Sequence, residues 1–197
     1  MERILGIVGS PRKGGNTELL MERLLAAARE EGAETNLLAM AGKEIAPCLA
    51  CEDCVGGPPE WCVQKDDMID VYPLMVWADA IVFGTPVYMG TMTAQLKAVF
   101  DRARPLWIME NALSRKVAAA MAVGEGRFGG QELAIQNVLW AALNHGMIVA
   151  GSASLPYGNW EVCGVAGQPG EVLKDTEAVR AAEGLGRRLA HLRLTAE

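Results

Sequence analysis

Apolar positions along this chain follow two spacings that alternate from the first residues to the last. Ile4 to Val8 (ILGIV) is a short unbroken apolar run ending in Gly9, Ser10 and Pro11, which suits a strand buried on both faces. In TELLMERLLAAAREEG, Leu19, Leu20, Leu24, Ala27 and Ala28 recur at helical period, with Asn16 as the expected cap and Gly32 as the stop. ETNLLAM, AIVFGTPVY, KVAAAMAVG and MIVAGSASL read as four further strands. The helices between and after them are DDMIDVYPLMVWADA, MTAQLKAVFDRAR, GQELAIQNVLWAALNHG and DTEAVRAAEGLGRRLAHLRL. Asp66 or Asp67 is the expected cap of the first of these, and Pro73 inside it predicts a kink or a late start. Strands alternating with helices predict an α/β domain with a parallel sheet covered on both faces. Five strands fit the doubly wound order 2-1-3-4-5 in one domain over residues 1–197, with ligand at the carboxyl ends of the strands.

That rule selects three loops. GSPRKGGNT (Gly9 to Thr17) offers hydroxyls from Ser10 and Thr17, charge from Arg12 and Lys13, and flexible backbone at Gly14 and Gly15, at a helix start whose free N–H groups attract an anion. It has neither the nucleoside-triphosphatase pattern nor a clean dinucleotide fingerprint, so a terminal monophosphate suits it better. In GTPVYMGTMT, Pro86 stiffens a turn whose Val87, Tyr88, Met89 and Gly90 N–H groups can face the edge of a flat heterocycle, with the Tyr88 ring on or beside it. VGEGRFGGQE brings Gly124, Glu125 and Gly126 to the same end of the sheet. Taken singly, Tyr88 and Phe128 read more readily as core or interface aromatics.

Composition changes the picture little. The 197 residues are 51% apolar and 21% charged, enough for a full core, and a net charge of -6 gives no reason to seek nucleic acid or anionic lipid. No apolar run approaches a membrane span, and the opening MERILGIVGS reads as a strand rather than a leader, so the cytoplasm is the expected compartment. The cysteines matter more. Cys48, Cys51, Cys54 and Cys62 form C-x2-C-x2-C-x7-C in a Gly/Pro-rich loop, residues 47–65. A reducing compartment disfavours structural disulfides. The close triplet is of the kind that binds iron–sulfur clusters, whereas structural zinc more often joins two separated knuckles. An iron–sulfur cluster is the preferred occupant and zinc the alternative. Cys163 stands alone and reads as a packed side chain. His145 ends a helix, where an imidazole complements the dipole, and His191 lies in the last helix. Neither has an evident nucleophile or metal partner, which disfavours hydrolase chemistry. Trp107 and Met109 read as core more readily than as a ligand cover or subunit contact.

As a set, SPRKGGNT, GTPVYMGTMTAQLKAVFDR and GEGRFGGQE resemble the NADPH-dependent FMN reductase family, a flavodoxin-like group, over about residues 3–150. With the compact cysteine motif added, the chain resembles the iron–sulfur flavoprotein branch. That resemblance implies FMN phosphate on Ser10, Arg12, Asn16 and Thr17. It places the isoalloxazine along Pro86 to Gly90, with Gly124 to Arg127 as a third flavin-side loop. It also implies a 4Fe–4S cluster on the four clustered cysteines, near the flavin. The chemistry would reside at flavin N5, with no catalytic side chain, and with NAD(P)H, ferredoxin or quinone as electron partners. A homodimer or homotetramer is implied too, with contacts expected around Tyr88, Met89, Met92 and Trp107. Two alternatives remain: an NAD(P)H-dependent FMN or quinone reductase without a cluster, and a non-enzymatic flavin electron carrier or redox sensor.

Overall fold

The computed structural model describes residues 2–55, 61–152 and 161–192. Its chain order is β1 (Arg3–Val8), α1 (Asn16–Glu30), β2 (Glu34–Ala39), α2 (Met68–Trp77), β3 (Ala80–Pro86), α3 (Ala94–Arg102), α4 (Arg104–Ile108), β4 (Val117–Gly124), α5 (Gln131–Asn144), β5 (Ile148–Val149), β6 (Val162–Val165), a 3₁₀ turn (Glu171–Lys174) and α6 (Thr176–His191). The strands pair in parallel in the order β2-β1-β3-β4-β5, as the alternation predicts.

The fifth lane differs from expectation. β5 pairs only with Val117 and Ala118 of β4, and β6 takes over opposite Met121 to Gly124. MIVAGSASL is therefore not one strand. β5 ends at Val149, short of Gly151, and Val162 to Val165 form a separate strand on β4. Residues 153–155 of that expected strand lie outside the described residues.

The period-2 rule divides the core. Leu5, Ile7, Ile81, Phe83, Ala118, Ala120 and Ala122 face α2, α3 and α5. Ile4, Val8, Val82, Met121 and Val123 face α1 and α6. α1 lies close on its side because Gly6 leaves room: a Cβ there would stand 2.8 Å from Met21 Cγ. Caps differ from the sequence reading in two places. Gly15, not Asn16, occupies the position before α1, and Asn16 is the first helical residue. Ahead of α2, Asp66 Oδ1 accepts from the Met68 N–H (3.1 Å), while Asp67 accepts from Glu44 instead. Pro73 sits inside α2 without ending it.

Candidate functional site

The three expected loops converge at the carboxyl edge of the sheet and are stitched together there. The Gly9 N–H donates to Gly84 O (2.7 Å). Thr93, just ahead of α3, donates from Oγ1 to Gly9 O (2.7 Å) and accepts from the Leu96 N–H, while its own N–H donates to Thr85 Oγ1. The Val87 N–H donates to Val123 O (2.9 Å), joining the second loop to β4. A Cβ on Gly130 would lie 3.4 Å from Gly90 Cα, so the second and third loops touch.

Within the first loop, Ser10 is buried and occupied locally: Oγ accepts from the Arg12 N–H (3.2 Å) and donates to Arg12 O. Gly15 completes the turn, its N–H donating to Arg12 O, and a Cβ there would crowd that oxygen at 3.1 Å. The Gly14 N–H is taken by Glu18 Oε2 (2.8 Å). Asn16 turns away: Nδ2 donates to Gln168 O and Oδ1 accepts from the Val172 N–H, tying α1 to the C-terminal segment. What remains uncommitted among the described residues is the exposed Arg12 and Lys13 and the hydroxyl of Thr17, beside the first-turn amides of α1. That donor set fits a phosphate.

In the second loop the Tyr88 N–H donates to Thr91 O and the Thr91 N–H returns to Tyr88 O. Met89 (φ 49°) and Gly90 (φ 77°) form a type I′ tip between them, with Met89 fully exposed. The amides of Val87 and Tyr88 are therefore used internally, which leaves those of Met89 and Gly90 to face a ligand. Tyr88 and Phe128 are exposed in this chain, not core. Trp107 and Met109 are likewise exposed, against the expectation of core packing, because α4 lies across the surface. Met92, expected in a subunit contact, is buried. In the third loop Gly124 is buried, with Glu125 and Gly126 exposed. The buried Gln131 holds this loop, donating from Nε2 to Gly126 O (2.7 Å) and Gly164 O and accepting from the Gly129 N–H.

The cysteine loop leaves β2 and closes at its base. The Ala46 N–H donates to Asp66 Oδ2 (3.0 Å), the Glu44 N–H to Asp67 Oδ2 (2.6 Å), the Asp67 N–H to Glu44 O, and Gln64 Nε2 to Pro47 O (3.3 Å). Trp61 stacks on Tyr72 with ring centroids 5.1 Å apart, anchoring Cys62 beside it. Ala50 and Glu52 adopt left-handed backbone (φ 52° and 65°), curling the segment, and the Ala50 N–H reaches Cys48 Sγ at 3.4 Å. Cys48, Cys51, Cys54 and Cys62 thereby line one recess, whose other wall is Asp101 and Arg102 at the end of α3 and Arg104 and Pro105 at the start of α4. α3 runs against the strands, so this wall lies about 13 Å along its nine residues from the Thr93 end where the loops meet.

Arg102 is the residue that sequence reading left without a role. It is 1% exposed and pairs bidentately with Asp66 (2.7 and 3.0 Å) while donating to Ala46 O (2.9 Å). A basic residue in the apolar stripe LKAVFDR was the available signal. Burial opposes the Asp66 charge, but its bonds to Arg102 prevail and hold the carboxyl below its usual range. Cys163 packs against the core as expected and donates to Glu161 Oε2 at 3.4 Å; burial, together with the Glu161 charge, pushes its thiol far up. His145 differs from expectation. Its Nε2 bonds Phe100 O (3.1 Å) and burial holds its pKa below the ordinary value, which favours the neutral ring over a cation on the helix dipole. His191, at the end of α6, is exposed and pairs with Glu31.

Known proteins bear on this arrangement. An iron–sulfur flavoprotein of Methanocaldococcus jannaschii is 40% identical over 190 residues, 96% of each chain. Another, from Methanosarcina thermophila, is 46% identical over 153 residues, 77% of this chain and 78% of that one. A flavodoxin, WrbA-like protein of Agrobacterium tumefaciens shares the fold with a TM-score of 0.65 at 18% identity, over 96% of both chains. The profile of NADPH-dependent FMN reductases matches residues 2–161. With a phosphate-type cradle, two further loops at the same sheet edge and this breadth of similarity, the chain belongs to the NADPH-dependent FMN reductase family, in its iron–sulfur flavoprotein branch.

Proposed function

We propose that this FMN-dependent oxidoreductase passes electrons between FMN and a 4Fe–4S cluster held by Cys48, Cys51, Cys54 and Cys62. The electrons would move between a reduced carrier, NAD(P)H or ferredoxin, and an acceptor such as a quinone. The observation that carries the reading is the lining of one recess by all four clustered thiols. When bound, flavin exchanges electrons singly or in pairs and a cluster exchanges them singly. The chain's part is to hold both. Arg12, Lys13, Thr17 and the α1 amides bind the phosphate. The tip at Tyr88 to Gly90 and the turn at Gly124 to Gly126 border the ring. A single anion cradle favours FMN over FAD.

Strictly anaerobic purification followed by iron, sulfide and flavin analysis tests the reading. One flavin and about four iron and four sulfide per chain are expected. Serine at any one of the four cysteines should remove or destabilise the cluster while FMN stays bound. Stoichiometric zinc without iron or sulfide would sink the cluster assignment.

A further inference from the structure

The structure gives Arg102 more hydrogen-bonding capacity than its visible partners use. Its Nη1 donates to Ala46 O (2.9 Å) and Asp66 Oδ2 (2.7 Å). Its Nη2 donates to Asp66 Oδ1 (3.0 Å) and points toward Gln64 O at 3.5 Å. Both terminal nitrogens are thereby committed to the two stems of the cysteine loop. Nε is buried and has no partner among the described residues. A buried N–H without an acceptor is costly and uncommon in native proteins, so such a group calls for a partner. The side chain is 1% exposed, which limits what bulk water can supply. Arg102 also lines the recess that contains Cys48, Cys51, Cys54 and Cys62.

We infer that Arg102 is a positioning and tuning residue for the four-cysteine site, its Nη edge closing the loop and its Nε–H serving as donor to a sulfur of the bound cluster. The inference rests on the cluster reading above and adds a specific group to it. A hydrogen bond to sulfur stabilises the more negative, reduced cluster, and a fixed positive charge acts in the same sense; both raise the reduction potential. Lysine at this position would keep the charge but lose the fork and the Nε–H.

The test uses the anaerobically purified full chain, with flavin content confirming the fold of each variant. Arg102→Lys should retain iron and sulfide but show a lower potential in an EPR-monitored redox titration. A tenfold weakening of the one-electron reduction, about 59 mV, is the expected order. Arg102→Gln, lacking the charge as well, should fall further. Asp66→Asn loosens the loop stem and removes a negative charge but leaves Nε–H in place, so it should lower cluster content while the potential of the remaining cluster does not fall. Should the Arg102 variants fail to fold, the unaltered protein grown with 15N-arginine supplies the measurement. Pulsed EPR of its reduced cluster should show a weak nitrogen coupling that changes with the label. An unchanged potential in Arg102→Lys, or no arginine coupling in the labelled protein, overturns the inference and leaves the cluster standing. Wild-type protein without iron and sulfide overturns the cluster reading and this one together.

Discussion

Thr93 shows how much can depend on one hydroxyl. It caps α3 and ties the first loop to the second through Gly9 O, all while fully buried. Thr93→Val keeps the shape but strands that oxygen and the Leu96 N–H. We expect a loss of about 1–3 kcal/mol in urea unfolding and weaker FMN binding by fluorescence titration, because the two loops lose their common anchor. An unchanged FMN affinity would show that the anchor does not shape the cradle. His145 gives the opposite lesson, a polar group constrained by burial. Its pKa is held below the ordinary value, so between the two values the unfolded chain binds the extra proton and the folded chain resists it. Its contribution to stability is therefore intact above about pH 6.5 and declines as pH falls below it. His145→Gln, which can still donate to Phe100 O, should flatten this part of the stability profile. Melting both proteins from pH 5 to 8 checks it, and parallel curves would exclude a role for the imidazole.

Between elements, the tightest approach is that of α1 and α6. A Cβ on Gly186 would stand 2.1 Å from Leu24 O, so only glycine fits that crossing. In an exposed helix, glycine to alanine gains about 1 kcal/mol. Here Gly186→Ala should instead destabilise, by about 1–3 kcal/mol in denaturant titration, because the helices must separate. The sign of the change decides the matter. This crossing was invisible in the sequence, where Gly184 and Gly186 only mark a helix rich in small residues. The main strands, the helices and the three loops at the carboxyl edge of the sheet were legible, because each follows from spacing and turn chemistry within a short window. Arg102 was not. Its partners Ala46 and Asp66 lie 56 and 36 residues away, and no local pattern reports such a contact. The split of the fifth lane was hidden for a related reason: the apolar residues around Gly151 suit a strand locally, and only pairing with β4 shows where the strand leaves.

For the whole molecule, the outer surface carries its own signal. Leu133, Trp140 and Leu143 on α5 are exposed, as are Ile148 and Val149 beside them and Trp107 on α4. Exposed apolar area of this kind suits contact with further copies of the chain. Light scattering should give a dimer or tetramer, and a monomer that retains full FMN would count against assembly as part of the site. The closed base of the cysteine loop has a different consequence, in the order of biosynthesis. Its stems are held by Asp66, Asp67, Arg102 and Gln64, and none of these bonds requires iron. In a zinc finger the metal supplies the folding energy, so the peptide has no shape until it is loaded. Here the newly made chain can fold around its sheet and present its thiols already gathered at one recess. On the proposed reading, iron and sulfide would then arrive as a late maturation step. Protein made during iron scarcity would keep its architecture and await supply, and a cluster lost to oxygen could be rebuilt without the chain unfolding.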